Sequence, residues 1–187
     1  VPLIDQHDTN GYWGGKFGGS HVAESIIHPI EELTKEFEKL RYDESFIAER
    51  DFYFKNFIGS PTPFIKLENL SKYLGGAQIY CKLVSKATGG AHKAYNAVVH
   101  ALICRRLGKK NIGGDTGAGY AGKMLAMAGA ALNLQTKIFM GTKDMERQSI
   151  NVFSMRSFGA EVIPVSSGSQ TLVNAVSESL RWWTAEN

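Results

Sequence analysis

The chain has 187 residues, enough for one domain with a sizeable hydrophobic core. Apolar residues make up 43% and charged residues 21%, which is ordinary for a globular protein, and the net charge is only +3. These values exclude the basic footprint of a nucleic-acid-binding protein, and no apolar run approaches the length of a transmembrane helix.

The two cysteines, Cys81 and Cys104, each lie within an apolar run. This placement predicts buried free thiols rather than a disulfide, and hence a reducing intracellular compartment. The sequence begins at Val1 instead of methionine, so it has been processed, trimmed or incompletely recorded. A cytoplasmic protein and a mitochondrial or plastid protein that has lost a presequence both fit this beginning.

The first third of the chain divides into an arm and a helical segment. Residues 1–21 include a nine-residue run with five glycines and three aromatics, which predicts an irregular arm that docks its aromatic rings on another surface. Residues 22–41 repeat apolar side chains at helical spacing, and Pro29 is expected to kink or divide that helix. A second helix is predicted over 44–57, so the helical segment spans 22–58.

The rest of the chain, 59–187, begins with a Gly-Ser-Pro-Thr-Pro break and then alternates strands with helices. In chain order the predicted elements are an extended segment at 64–67, a helix at 68–74, a strand at 78–84, a helix at 94–107, a weak strand at 111–114, a helix at 120–132, a strand at 137–140, a helix at 144–158, a strand at 161–165 and a helix at 169–184. This alternation predicts an α/β domain with a parallel sheet and helices on both faces. In such a sheet ligands bind where strands end, and the glycine-containing loops at 88–91 and 113–119 are expected there.

Lys93 follows the first of these loops and opens a helix. The adjacent glycines Gly89 and Gly90 allow the backbone to approach a ligand closely, and a primary amine beside such a loop suits covalent chemistry with a carbonyl group. The alternative is a surface lysine after an ordinary helix start. His92 either contacts a ligand or packs.

The second loop, Thr116-Gly117-Ala118-Gly119, precedes a very apolar helix. Free backbone N–H groups at a helix start suit a carboxylate or phosphate, although glycine is also the usual residue of tight turns. Asp115 is either an acid/base group or a cap of that helix. Five methionines on apolar faces are predicted core residues: Met124, Met127, Met140, Met145 and Met155. Four histidines lack metal-ligand spacing, so no metal site is predicted: His7, His21, His28 and His100.

Four motifs in a fixed order carry a family resemblance. They are Gly90-Ala91-His92-Lys93, Thr116-Gly117-Ala118-Gly119, the run from Met140 to Gln148, and Gly159-Ala160-Glu161-Val162-Ile163-Pro164-Val165. Together they resemble the N-terminal half of the tryptophan synthase β subunit family, over nearly the whole chain. That family comprises fold-type II pyridoxal phosphate enzymes that join indole to an aminoacrylate made from serine.

The resemblance implies roles for particular residues. Lys93 matches the lysine that binds the cofactor covalently, and His92 matches the histidine beside the cofactor phosphate. Asn96 is the asparagine that survives near the family's position after the lysine. Asp115 stands where the family has its catalytic glutamate, and Thr116, Gly117, Ala118 and Gly119 match the loop that holds the substrate carboxylate.

Several positions depart from the family pattern. Asp115 is one methylene shorter than the glutamate, Tyr120 and Ala121 replace a Gln-His pair, and Tyr95 replaces an asparagine. The charged run before the lysine loop is lost, and no glycine-rich phosphate cup, which the family carries in its second half, is found in these residues. The cofactor site is therefore expected to be weakened or lost.

These departures favour a non-catalytic structural or interaction subunit of a larger assembly. A protein partner, either another copy or part of a larger complex, is expected over the sheet face that meets the second half in the family. Neither nucleic acid nor a membrane span is expected. The alternative is a fragment of an active β-replacement enzyme, and a third reading is a binding module for pyridoxal phosphate or an amino acid.

Overall fold

A computed structural model describes residues 6–8, 11–19 and 21–186. The glycine-rich arm forms a small antiparallel hairpin, β1 (Tyr12–Trp13) and β2 (Phe17–Gly18), so it is not a helix, as predicted. The Trp13 ring packs edge-on against His7 at 5.4 Å, while Phe17 stays largely exposed. Residues 1–5, 9, 10 and 20 of the predicted arm lie outside the described residues, and docking of the arm elsewhere stays a prediction.

The first long helix, α1 (Ile27–Leu40), is preceded by a 3₁₀ turn at Glu24–Ile26. The helix continues through Pro29, so the expectation that Pro29 divides it is wrong. The reason is position: Pro29 is the third residue of α1, and the N–H groups of the first helical turn have no intrahelical acceptor to lose.

The second helix, α2 (Glu44–Tyr53), is capped by Asp43, whose carboxylate accepts a 2.7 Å hydrogen bond from the Phe46 N–H. It continues as a π-helical turn, Phe54–Ile58, and ends at Gly59 in the left-handed conformation. The predicted helix over 44–57 is thus found, with a change of winding in its last turn.

The next elements form a separate two-stranded sheet. Strand β3 (Phe64–Lys66) pairs antiparallel with β4 (Tyr80–Lys82), and α3 (Glu68–Leu74) lies between them in the chain. The expected strand at 78–84 is therefore shorter and lies outside the parallel sheet. Across β3 and β4 the Phe64 and Tyr80 rings stack 5.1 Å apart, a cross-strand contact that stabilises this pairing.

The chain then makes a 3₁₀ turn, Val84–Lys86, before the first glycine loop and α4 (Lys93–Arg106). The loop at 88–91 consequently does not follow a strand of the parallel sheet, contrary to expectation. The loop after residue 116 does, because β5 (Asn111–Thr116) is a strand of that sheet.

The parallel sheet has the order β5, β6 (Gln135–Gly141) and β7 (Glu161–Val165). Helices α5 (Tyr120–Ala131) and α7 (Ser149–Ser157) cover one face, and α8 (Leu172–Glu186) covers the other. The α/β class with a parallel sheet and flanking helices, preceded by a helical segment, is confirmed.

Two expectations about this part change. The predicted helix at 144–158 is divided at Gln148, whose backbone leaves helical values, into α6 (Thr142–Arg147) and α7. Neither face of the parallel sheet is bare, because helices cover both. Large exposed apolar side chains lie on β3, α3 and β4, and also on α1, α7 and α8.

The core is built around α4 and the sheet. One buried cluster joins α2, α4 and α5, including Phe46, Val98 and Leu102. A second lies between the sheet and α5 and α7, and a third lies under α8. Four of the five methionines are buried as predicted, and the fifth is partly buried against the second cluster: Met124, Met127, Met140 and Met155, with Met145.

Candidate functional site

The loop before Lys93 is held by the end of α2. The Thr88 N–H donates to the Ile58 carbonyl at 2.9 Å, and the Thr88 hydroxyl donates to the Phe57 carbonyl at 2.6 Å. Gly89 adopts a φ of +86°, and a Cβ there would collide with the thioether of Met124 in α5. The positive φ therefore favours glycine at position 89, and the loop packs between the two helices.

Lys93 is the first residue of α4 and is exposed. Within the described part of the chain, its ammonium group makes no hydrogen bond or ion pair. His92 occupies the N-cap position without a capping hydrogen bond, and it is exposed as well. Asn96 lies about one turn further along and shares a helix face with both. The structure thus groups these three polar side chains at one exposed helix start.

The second loop presents an arrangement suited to an anion. Thr116 is buried, and its hydroxyl accepts a 3.3 Å hydrogen bond from the Gly122 N–H in the first turn of α5. The backbone N–H groups of residues 118–121 have no acceptor among the described residues. Neighbouring free N–H groups at a helix start are a common binding arrangement for carboxylate or phosphate.

Asn151 of α7 holds the loop at 116–119 in place by a hydrogen bond, and the sequence analysis did not predict this contact. Its amide donates to the Ala118 carbonyl at 2.8 Å. Its Cβ lies 2.6 Å from where a Cβ on Gly119 would be, and Gly119 itself has a φ of +83°. No local pattern signals Asn151, because it lies 33 positions along the chain from its partner.

Asp115 faces helix α8. It lies in β5 opposite Phe139 of β6, so its side chain projects from the face covered by α8. There its carboxylate accepts a 3.3 Å hydrogen bond from the Ser179 hydroxyl. The N-cap of α5 is Gly119, so the expectation that Asp115 caps this helix is wrong.

Lys93 and Asp115 make no direct polar contact in the described part of the chain. Lys93 begins α4, which packs mainly against α5, whereas Asp115 faces α8, although other residues of α4 line one cavity with Asp115 and Ser179. No hydrogen bond or ion pair joins the two side chains in the described ranges.

Tyr120 links the two glycine loops. It is the first residue of α5, and its buried hydroxyl oxygen lies 3.8 Å from where a Cβ on Gly89 would be. Burial raises the pKa of the Tyr120 phenol, and the backbone N–H of Ala91 acts more weakly in the opposite sense. The Lys123 ammonium lies 5.3 Å from the centre of its ring. A neutral phenol thus fills the space between the loops.

Two further classes of site find no support in the described residues. No group of three or more histidine, cysteine, aspartate or glutamate side chains is placed there to hold a metal ion. None of the helices described has the length and apolar character needed to cross a membrane.

Comparison with known proteins identifies the class to which this fold and site belong. Residues 56–184 match the family described as pyridoxal-phosphate dependent enzyme, and the chain belongs to that family. Within it, the tryptophan synthase beta chain of Xanthomonas campestris pv. campestris (strain B100) is 44% identical over 187 residues, covering 98% of this chain and 46% of the relative. That of Xanthomonas oryzae pv. oryzae (strain PXO99A) is 46% identical over 176 residues, covering 94% and 43%. The predicted resemblance is confirmed, and the chain spans less than half the length of these relatives.

Solved structures share the fold at low sequence identity. A pyridoxal 5'-phosphate-dependent aspartate racemase superposes with a TM-score of 0.58 at 16% identity, covering 82% of this chain and 43% of that one. Diaminopropionate ammonia lyase from Escherichia coli superposes with a TM-score of 0.56 at 18% identity, covering 91% and 42%. In these comparisons too, the chain corresponds to less than half of a larger protein.

Proposed function

We propose that this chain is a non-catalytic member of the tryptophan synthase β-like group, serving as a structural or interaction subunit of a larger assembly. The observation that carries the proposal is that no hydrogen bond or ion pair joins Lys93 to Asp115 among the described residues, and that Asp115 accepts a hydrogen bond from Ser179 instead. The carboxylate faces α8 and accepts a hydrogen bond from Ser179, whereas the lysine is the exposed first residue of α4. General acid–base catalysis requires the acid within hydrogen-bond reach of the reacting group.

The replacement of the Gln-His pair supports the same conclusion. Tyr120 fills the space between the glycine loops with a buried phenol, and Ala121 contributes only a methyl group. Neither side chain reproduces the hydrogen bonds of an amide and an imidazole. The scaffold of the site is thus retained while its polar groups are changed.

The family implies pyridoxal phosphate as cofactor. When bound, this group supplies an aldehyde that a primary amine attacks and an aromatic ring that takes up electrons. The residues present fit part of it: Lys93 is exposed and unpaired among the described residues, and the free N–H groups of residues 118–121 suit a carboxylate or phosphate. In this chain we expect Lys93 to bind the cofactor and the loop at 116–119 to orient an anionic group, with no step of proton transfer assigned to Asp115.

Exposed apolar surface supports a partner protein. Large apolar side chains on β3, α3 and β4 are between 42% and 87% exposed. They are Phe64, Ile65, Leu70, Tyr73, Leu74 and Tyr80. Exposed apolar surface of this kind is typical of protein–protein contacts. The elements that carry it precede the glycine loop at 88–91 in the chain. Another copy of the chain and a different protein of a larger complex both fit it.

The alternative is an active β-replacement enzyme, of which this chain is one part. Retention of Lys93 and of the loop at 116–119 favours this reading. In it, serine and indole, or another nucleophile, would be the substrates, and the remaining groups of the site would come from elsewhere.

The test is to add pyridoxal phosphate to the purified chain and record the visible absorbance of the lysine-bound cofactor. We expect a band that disappears in Lys93→Ala and persists in Lys86→Ala, a matched change of another exposed lysine. With serine and indole added, we expect no tryptophan. Tryptophan production that depends on Lys93 would contradict the non-catalytic proposal and establish the alternative.

A further inference from the structure

The peptide group that joins Ala118 to Gly119 has two orientations open to it. Gly119 has a φ of +83° and a ψ of −12°, which are the angles of the third residue in a type II turn. A type I turn differs mainly in that the central peptide is turned over, which brings φ at this position to about −90°. Glycine adopts either value of φ without strain. The residue types of the loop therefore do not by themselves decide which way this peptide faces.

The orientation decides whether the loop presents a hydrogen-bond donor or an acceptor at this point. The C=O and N–H groups of a trans peptide point in opposite directions. When the Ala118 carbonyl faces one side of the loop, the Gly119 N–H faces the other, and turning the peptide over exchanges the two. A backbone N–H attracts an anion, whereas a carbonyl oxygen carries partial negative charge and repels it. One flip of this peptide would therefore weaken the binding of an anion.

Asn151 of α7 holds the Ala118 carbonyl. Its side-chain Nδ2 donates to that oxygen at 2.8 Å, and the same nitrogen donates to Oε1 of Gln148 at 3.4 Å. Only the NH₂ end of an asparagine amide can donate to two acceptors, so the pair of contacts fixes the side chain with its nitrogen toward the loop. The Ala118 carbonyl is thereby kept on the α7 side.

The Gly119 N–H consequently points away from α7. It has no acceptor among the residues that the structure describes, and the same holds for the other N–H groups of residues 118–121. These groups form the arrangement suited to an anion described above. The hydrogen bond from Asn151 thus lies on one side of the loop, and the free donors that it orients lie on the other.

We propose that Asn151 is a positioning residue, which keeps the peptide between Ala118 and Gly119 turned so that the Gly119 N–H is available to a carboxylate. It acts through the loop and does not touch the anion. The inference rests on the proposed role of the loop at 116–119 in orienting an anionic group, and it assigns no proton transfer to Asn151.

The orientation of the peptide is measured by NMR without any ligand. In a type II turn ψ of the second residue is about +120°, which places its Hα beside the next N–H, whereas the type I value of about −30° separates the two. We therefore expect a strong nuclear Overhauser effect between the Ala118 Hα and the Gly119 N–H in the unaltered chain. In Asn151→Leu, which keeps the size of the side chain but removes the donor, we expect this effect to fall by about threefold or more. An unchanged effect in Asn151→Leu would overturn the proposal.

Binding of a carboxylate is measured with L-serine as the probe, from the shifts of the amide resonances of residues 118–121 in the whole chain. We expect Asn151→Leu to weaken binding by about tenfold, the effect of losing one hydrogen bond to a charged group. Asn174→Leu is the matched control, because Asn174 also holds a loop, through hydrogen bonds that its Oδ1 accepts from Ser169. That variant should leave serine binding unchanged. Equal losses in the two variants would reveal a general loss of structure and overturn the proposal.

Asn151→Asp provides a second test of orientation, because an ionised carboxylate cannot donate to the Ala118 carbonyl. Its charge would repel an anion whichever way the peptide faces, so this variant is used for the nuclear Overhauser effect alone. We expect the effect to be as weak as in Asn151→Leu, and a strong effect would overturn the proposal.

The two measurements separate this inference from the proposed function. Serine binding of equal strength in the unaltered chain and in Asn151→Leu would overturn the inference and leave the anion-binding role of the loop intact. Absence of serine binding in the unaltered chain, with the nuclear Overhauser effects as expected, would refute that role of the loop while supporting the orienting role of Asn151.

Discussion

Gly119 is the position at which a single methyl group should disturb the candidate site most clearly. Its φ of +83° places it in the left-handed region, and an added Cβ would lie 2.6 Å from the Cβ of Asn151. The Cβ of Asn151 is fixed by the backbone of α7, so no rotation of the side chain can move it away. The left-handed conformation costs an alanine about 1–2 kcal/mol, part of which is offset by the lower entropy of the unfolded chain. Carbon atoms pack best about 3.5–4.0 Å apart, and overpacking of this kind costs about 1–3 kcal/mol.

We therefore expect Gly119→Ala to lower the free energy of unfolding by about 2–4 kcal/mol. Gly159→Ala is the matched control, since Gly159 has a φ of +84° and nothing within 4 Å of its added Cβ. That variant isolates the backbone cost, about 1 kcal/mol. In urea denaturation the two midpoints should differ by about 1 M at equal slopes. Equal midpoints would refute the contact between the loop and α7.

Two further predictions concern a buried hydroxyl group and an imidazole group whose pKa is shifted. Thr62 is 3% exposed, and its hydroxyl has no partner among the described residues, so Thr62→Val should raise the free energy of unfolding by about 1–2 kcal/mol. Calorimetry should show a higher Tm for it than for Thr62→Ser, and a fall in Tm would contradict the prediction. His100 is exposed in part, but the protein around its ring removes enough water to lower its pKa below the ordinary 6.5, so the unfolded chain binds a proton more readily. Stability should then rise with pH from that lowered pKa to about 6.5 and level off above it. Urea titrations at several pH values should show this rise reduced in His100→Asn, and an identical rise in the variant would contradict the assignment.

Much of the fold follows from hydrophobic periodicity, but β5 shows where that signal weakens. Gly113 and Gly114 carry no side chain and little strand propensity, so the sequence predicts a weak strand that ends before Asp115. The structure extends it to Thr116, because backbone pairing with β6 needs no side chains. The missing side chain of Gly113 allows the Trp182 ring to pack directly against β5.

The candidate site likewise has parts that the sequence predicts and parts that it does not. Motif order alone predicts the two glycine loops, and the structure finds both at helix starts. The direction of the Asp115 side chain depends on sheet register, and a shift of one residue moves a side chain to the other face. The contact between Asn151 and the second loop joins distant parts of the chain, which no local pattern encodes. The assignment of roles to Lys93, His92 and Asn96 stays a prediction.

The π-helical turn at the end of α2 has a consequence for the position of the start of α4. Its last two carbonyls bind Thr88, one of them 31 positions away in sequence, and Lys93 follows five residues later. Each residue of a helix turns the backbone by about 100°, so the gain or loss of one residue in α2 would swing both carbonyls away from the loop. The winding of the last turn of α2 therefore helps to fix the position of Lys93. Insertions and deletions should be tolerated far more readily at the exposed residues 75–78, between α3 and β4, than between residues 44 and 58.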